Sequence, residues 1–283
     1  MEEGYGVSKQ VEIRVLEKDE TSMRLVIRGT DVPLMNALRR IVISEVPSMV
    51  IDEIVIVENS SMLQDEVIAH RMGLIPLKTD LDSYNLPEEC PCKSEFGCNL
   101  CRVTLALDVE AKGEARTVYS GDLVSENPNV VPVSDKIPIL KLAREQKIKL
   151  EAYVRLGKGK NHAKWQPVSM CAYKYYPSIE VTKGCTACGK CVDICPRRVL
   201  VNKDGKIEVG DLISCTLCQD CVKACPETPA AIRAVGEDNA FVFSLESTSA
   251  LPPERILTEA NKILDKQLKE LENEIKVEKS EKD

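Results

Sequence analysis

Cys185-Thr186-Ala187-Cys188-Gly189-Lys190-Cys191-Val192-Asp193-Ile194-Cys195-Pro196 returns later in the chain as Cys215-Thr216-Leu217-Cys218-Gln219-Asp220-Cys221-Val222-Lys223-Ala224-Cys225-Pro226. The four cysteines, the proline, Thr186 and Val192 all keep the same 30-residue offset, which makes the stretch an internal repeat. Each copy reads C-x2-C-x2-C-x3-C-P. Three thiolates at that spacing wrap one face of a metal–sulfur cubane, while the fourth, turned away by the x3-Pro step, points toward a second site. Paired C-x-x-C units also make zinc sites, but zinc accounts for neither the third cysteine, the proline nor the repeat.

The two runs resemble the ligand pattern of two-cluster bacterial ferredoxins. That resemblance implies one cluster on Cys185, Cys188, Cys191 and Cys225, and another on Cys215, Cys218, Cys221 and Cys195. Both would be 4Fe-4S, or one of them 3Fe-4S. Taken alone, the eight cysteines suggest the iron–sulfur electron-transfer subunit of an oxidoreductase. A module built on them occupies only about residues 181–231 of a 283-residue chain, so most of the sequence serves something else.

Composition narrows what that is. A formal net charge of −7 and a pI of about 5.2 argue against direct DNA contact by the molecule as a whole. Met1-Glu2-Glu3-Gly4 has no basic stretch ahead of an apolar one, and no run approaches the ~20 apolar residues of a membrane span. Thirteen cysteines without a secretion signal predict metal sites in a reducing cytoplasm rather than a disulfide framework.

Upstream, Val11, Ile13 and Val15, then Met23, Leu25 and Ile27, alternate with polar residues and predict two half-buried strands joined near Asp19 to Ser22. Thr30 or Asp31 can cap a helix that tolerates Pro33 in its first turn and places Leu34, Leu38, Ile41 and Val42 on one face. Asn36, Arg39 and Arg40 lie off that stripe. After Pro47 the sequence predicts a strand at Ile54 to Val57. A helix follows, with Ser61 and Gln64 at capping-box spacing, an apolar face of Leu63, Val67, Ile68 and Met72, and Gly73 at its end. His70 has no ligand partner at useful spacing and reads as a packing or hydrogen-bonding residue.

Three groups of words in this region, Asn36-Ala37-Leu38-Arg39-Arg40, Glu45-Val46-Pro47 and Asp65-Glu66-Val67-Ile68-Ala69-His70-Arg71-Met72-Gly73-Leu74-Ile75-Pro76-Leu77, resemble the alpha-type assembly subunits of cellular RNA polymerases, in particular their archaeal, D-type branch. The loop Gly157-Lys158-Gly159-Lys160-Asn161-His162-Ala163-Lys164-Trp165 resembles the same family; no G-x-G-x-x-G is completed, so a phosphate loop is not supported. Its basic residues could meet an acidic patch of a neighbouring subunit or form a solvated turn.

Cys90, Cys92, Cys98 and Cys101 form a further cluster, C-x-C-x5-C-x2-C, ahead of the alternating strand Val103, Leu105, Leu107, Val109. Four thiols in twelve residues suit a closed structural zinc site; two disulfides or free thiols are the alternatives. The family supports zinc, since its eukaryotic members carry a four-cysteine zinc loop here. Residues 110 to 147 read as irregular, with a turn at Glu126 to Asn129. Ile148, Leu150, Ala152, Val154 and Leu156 alternate as a strand. Cys171 reads as a small buried hydrophobe, and Phe241, Phe243 and Leu245 as a strand. From Glu254 a stripe of Ile256, Ala260, Ile263, Leu264, Leu268, Leu271 and Ile275 predicts a long one-sided helix that needs a partner surface.

The resemblance implies an α+β fold. A discontinuous dimerisation domain would comprise 1–48, 166–180 and 232–283, with a mixed insert domain at 49–165 and an inserted ferredoxin-like domain at 181–231. It implies a subunit of DNA-directed RNA polymerase, enzymatic only as part of that complex. The chain would pair with subunit L through its first and last helices, and carry the two largest subunits and small subunits N and P. Arg39 and Arg40 are the candidates for contact with a large subunit, because guanidinium groups bond bidentately across interfaces. The sequence agrees with a scaffold: it contains no Asp-x-Asp-x-Asp motif to hold catalytic magnesium.

Overall fold

The computed structural model describes residues 11–94 and 96–280. The outermost parts of the expected dimerisation domain, 1–10 and 281–283, lie outside the described residues. Strands β1 (Glu12–Lys18) and β2 (Ser22–Arg28) form the expected hairpin, with Val15 opposite Leu25 and Ile13 opposite Ile27. Asp19 closes the turn by accepting the amides of Thr21 (2.8 Å) and Ser22 (2.6 Å), the local bonding that suits Asp to turns. Only one of the two strands is buried: Leu25 and Ile27 are covered, whereas Val11, Ile13 and Val15 are exposed. Among the described residues β1 is the edge of its sheet, with β2 as its one neighbour.

Helix α1 (Val32–Ser44) is capped by Asp31 rather than Thr30, through an Oδ1 that accepts the Leu34 amide at 3.0 Å. Its buried face is rotated from the expected one. Met35, Ile41 and Val42 go inside, Leu38 is half-buried and Leu34 is exposed. Adjacent helical residues diverge by about 100°, so burying Met35 turns Leu34 away.

The next segment builds a mixed domain from β3 (Pro47–Asn59), α2 (Asp65–Gly73), β4 (Val103–Glu110), β5 (Arg116–Tyr119), β6 (Val124–Ser125), β7 (Pro138–Leu142) and β8 (Lys147–Lys158). One sheet runs β3-β8-β4-β6, with β5 and β7 paired separately. The alternations expected at Val103 to Val109 and Ile148 to Leu156 are buried throughout, and they face each other as Leu105 to Ala152 and Leu107 to Leu150. Three expectations need correction. The strand placed at Ile54 to Val57 is the end of the much longer β3, because Pro47 both stops a helix and opens a strand, where its missing N–H is tolerated. Residues 110–147 contain three short strands, whose signal is only a few buried positions such as Val118, Leu140 and Leu142. No capping box forms on α2: Ser61 bonds Asn59 instead, and Gln64 makes no side-chain cap. Of the expected face of α2, Ile68 and Met72 are buried and Val67 is exposed.

The chain continues through β9 (Val168–Val181), α3 (Lys190–Asp193), β10 (Leu200–Lys203), β11 (Lys206–Val209), α4 (Asp220–Lys223), β12 (Ile232–Ser247) and α5 (Pro253–Ser280). β9 and β12 complete the sheet β1-β2-β12-β9, while β10 and β11 form a separate hairpin. Phe241 and Phe243 on β12 are fully buried, with Tyr173 and Tyr175 of β9 at ring distances of 5.9 and 5.3 Å from Phe241. Sheets with a few segregated helices make the chain α+β. It divides into two compact units, one built from the chain up to Lys18, Met23–Asn36 and Ala172–Ser244, the other from Asp19–Ser22, Ala37–Cys171 and the chain from Leu245 onward.

Gly157 shows how closely the second unit is packed. A Cβ there would overlap the Trp165 indole, and one at Gly159 would overlap the Ile43 carbonyl. The Gly-x-Gly loop is thus a packing device. Gly157→Ala is expected to destabilise this unit by about 1–3 kcal/mol, the usual cost of overpacking; an unchanged urea midpoint would show that the indole can step aside.

Candidate functional site

The two cysteine runs fold alike, as their repeat requires. Each carries a one-turn helix, α3 or α4, preceded by a residue in the left-handed region: Gly189 (φ 80°) and its repeat partner Gln219 (φ 69°). Ala187 (φ 52°) and Leu217 (φ 59°) repeat the same kink two residues earlier. These reversals curl each three-cysteine loop around a cavity. One, of about 340 Å³, is lined by Cys185, Cys188, Cys191 and Cys225. The other, of about 400 Å³, is lined by Cys215, Cys218, Cys221 and Cys195. Each cavity thus takes its fourth cysteine from the other run.

The donor chemistry suits a cluster better than a single ion. Outside the loop of Cys90 to Cys101, and among the described residues, no three Cys, His, Asp or Glu side chains bring their ligand atoms within 4.8 Å of one another. Cubane ligands stand apart because each thiolate holds its own iron. Backbone amides of Val199, Leu217 and Ala231 point at the sulfurs of Cys195 (3.5 Å), Cys215 (3.4 Å) and Cys225 (3.3 Å), which favours the thiolate. Burial pushes the Cys191 and Cys221 thiols up, and a metal's charge is what reverses that preference. Apolar neighbours such as Val181, Ile207 and Leu200 shield the cavities. Cys188 and Cys218, the second cysteine of each run, are the exposed ones.

Cys90, Cys92, Cys98 and Cys101 are arranged quite differently. Their sulfurs all lie within 4.8 Å of one another, with separations of 3.7 Å (Cys90 to Cys98), 3.8 Å (Cys92 to Cys101) and 3.9 Å (Cys98 to Cys101). A tetrahedron with Zn–S bonds of about 2.3 Å has an edge of about 3.8 Å, whereas a disulfide needs about 2.05 Å. The four are free thiols whose separations match a zinc site's rather than a disulfide's. The Cys98 amide donates to the Cys101 sulfur at 3.2 Å, and the Leu100 amide to that of Cys98 at 3.4 Å. The Ser94 amide, followed by the Cys90 thiol, holds the Cys92 thiol down to about 7.

The other sequence-derived residues fall into three groups. On α1, Asn36 and Arg39 are half-buried and Arg40 is exposed. On α5, Ile256 and Ala260 are fully buried, Ile263 and Leu264 are half-buried, and Leu268 and Leu271 are 53% and 52% exposed. In the basic loop, Lys158 and Lys160 pair with Glu45 (3.7 and 3.1 Å), and Lys164 with Asp52 (2.8 Å), within this chain. His162 accepts the Lys164 amide at 3.0 Å and caps a short turn. His70 is exposed on α2, so the packing half of its reading does not hold, and Cys171 is half-buried rather than fully buried. Sequence reasoning missed two features that carry no motif. Lys174 bonds the loop leading into Cys215, and Arg255 of α5 pairs with Asp82 at 2.6 Å, ahead of the four-cysteine loop.

Comparison with known proteins converges on one class. Residues 49–170 match the RNA polymerase Rpb3/RpoA insert domain, and residues 184–231 match the 4Fe-4S dicluster domain. An alpha-type polymerase subunit with an iron–sulfur module is the class so defined. The chain is 42% identical over 260 residues to subunit Rpo3 of the DNA-directed RNA polymerase of Archaeoglobus fulgidus, covering 92% of this chain and 96% of that one. It is 45% identical over 257 residues to Rpo3 of Methanothermobacter thermautotrophicus (90% and 95%), and 37% identical over 257 residues to that of Pyrococcus furiosus (90% and 93%). The chain belongs to the Rpo3 family of DNA-directed RNA polymerase subunits. A likeness over nine-tenths of the chain, not over the cysteine module alone, leaves the oxidoreductase alternative unfavoured.

Proposed function

We propose that the chain is the alpha-like, D-type assembly subunit of an archaeal RNA polymerase. It pairs with subunit L, presents a platform to the two largest subunits and to small subunits N and P, and contributes no catalytic group. The observation that carries this reading is the likeness to Rpo3 over 92% of the chain. The dimerisation surface is formed by 1–48, 166–180 and 232–283, with the insert domain at 49–165 and the iron–sulfur domain at 181–231. The uncovered stripe of α5 supports a helical partner, and Asn36, Arg39 and Arg40 on α1 face another subunit. Work of this kind belongs in the cytoplasm; no described helix is long and apolar enough to cross a membrane.

In this reading Cys185, Cys188, Cys191 and Cys225 hold one 4Fe-4S cluster, and Cys215, Cys218, Cys221 and Cys195 the other. Cys90, Cys92, Cys98 and Cys101 hold zinc. When bound, the clusters supply covalent cross-links between the two halves of the module, and the zinc closes a loop with little apolar material of its own. The protein's own residues fix where those links fall, through the left-handed kinks and the crossed fourth cysteines.

Affinity capture of the tagged chain from cells should recover polymerase subunits in fixed stoichiometry; recovery with a dehydrogenase instead would sink the reading. Metal analysis of anaerobically purified chain should give roughly eight iron and one zinc. Cys101→Ser should abolish the zinc and leave the iron unchanged. Loss of iron in that variant would mean the two metal sites are not independent.

A further inference from the structure

The 30-residue repeat makes the two cluster loops alike in backbone, yet they are fastened differently. Before Cys215 the chain makes one turn, with the Cys215 amide bonded to the Leu212 carbonyl (3.1 Å) and Asp211 accepting the Ser214 amide (3.3 Å). The carbonyls at the end of that turn converge on Lys174 of β9. Its half-buried ammonium donates to the Cys215 carbonyl at 2.7 Å and to the Ile213 carbonyl. Gln219, in the same loop, donates to the Ala234 carbonyl of β12. The loop of the second run is thus bound to two strands of the sheet, on one side through two bonds from an ammonium.

The first run has the same turn, with the Cys185 amide bonded to the Thr182 carbonyl at 3.1 Å. Different groups tie it: the Thr182 amide (2.8 Å) and hydroxyl (3.2 Å) donate to the Ala231 carbonyl, and the Thr186 hydroxyl to the Glu227 carboxylate at 3.1 Å. Lys183, at the repeat position of Ile213, is exposed. The difference falls where it matters chemically. A cubane with four thiolates is an anion that gains further negative charge on reduction, and its potential follows the net charge and hydrogen bonding around it. Groups that orient a ligand loop also govern how firmly the metal is held.

We propose that Lys174 is a positioning residue for the second cluster, fixing the loop that carries Cys215 through an ammonium bonded to that loop's backbone carbonyls, where the first run is tied by Thr182 and Glu227. The two clusters are then inequivalent in stability and in potential. The inference rests on the reading that Cys215, Cys218, Cys221 and Cys195 hold a cluster.

The test uses the full chain, purified anaerobically as wild type, Lys174→Met and Lys174→Gln, with Cys188→Ser and Cys218→Ser marking which cluster is which. In Lys174→Met, iron release to a chelator should quicken roughly tenfold for the second cluster and stay unchanged for the first, in line with the loss of other outer-shell ligand supports. Lys174→Gln keeps a donor but not the charge, and keeps the question open to measurement should Lys174→Met fail to fold. In an electron paramagnetic resonance titration it should lower the potential of the second cluster alone, a shift that a purely structural role would not produce. Equal effects on both clusters, or none on either, would overturn the assignment while leaving the cluster reading intact. A wild-type chain that binds no iron would overturn both.

Discussion

Stripping iron from the purified chain under reducing conditions should unfold residues 184–231 while residues 49–170 stay folded. The two regions depend on different things. The insert domain has a continuous core in which Met49, Ile51, Leu105, Leu107, Leu150 and Val154 pack between strands. The core cluster of the cysteine module is small, Cys191, Leu200, Ile207 and Ile232, and several of the residues packed around it are themselves cysteines. A segment of that size cannot bury enough apolar surface to offset its chain entropy. The missing stability must come from metal–thiolate bonds, which contribute about 10–16 kcal/mol for zinc in comparably small domains. Hydrogen exchange of the iron-free chain should show amides of 184–231 losing protection by roughly a thousandfold, the factor set by about 4 kcal/mol of local stability. Those of β4 and β8 should hardly change. Persistent protection of the module without iron would mean that its clusters serve something other than its fold.

What the sequence discloses about this molecule depends on whether the information is local. The cysteine repeat is legible because ligand spacing is a property of consecutive residues, and the cavities it forms follow from kinks repeated at Ala187 and Leu217. The alternations of β4 and β8 are legible because both strands bury one whole face. Val11, Ile13 and Val15 show the same alternation, yet they lie on an edge strand. Periodicity says which residues share a face, not whether anything covers it. β5 and β7 are illegible because they are only four and five residues long and their buried positions, Val118 in one and Ile139, Leu140 and Leu142 in the other, form no clean alternation. Lys174 was illegible for another reason: its partners are backbone carbonyls some 39 and 41 residues away, contacts with no side-chain signature. The basic loop resembled an interface because Glu45 and Asp52, which occupy its lysines, are brought to it by folding alone.

Replacing Leu268 and Leu271 together by Glu should strongly weaken the proposed pairing with subunit L and leave the isolated chain as stable as before. The two leucines follow the same helical stripe as Ile256 and Ala260, but burial changes along it. Ile256 and Ala260 are fully buried, while Leu268, Leu271 and Ile275 are each about half exposed on a helix that continues to Ser280. The surrounding charges form neighbouring pairs, such as Lys269 with Asp265 at 2.6 Å, which keep the polar face hydrated and single out the stripe as the side to be covered. A carboxylate placed there costs little in water but must be desolvated without a partner in a helix–helix interface. Since apolar anchors at an interface centre are each worth about 2 kcal/mol or more, the double change should weaken association by about 1,000-fold, measurable by titration calorimetry. Ile256→Ala is the contrasting variant. It should lower the thermal midpoint of the chain through the cavity it leaves, at a cost of about 2–5 kcal/mol, with little direct effect on affinity. If the Leu268 and Leu271 changes lowered the midpoint while affinity held, the distal stripe would be packing within this chain, and the partner surface would have to be sought on α1.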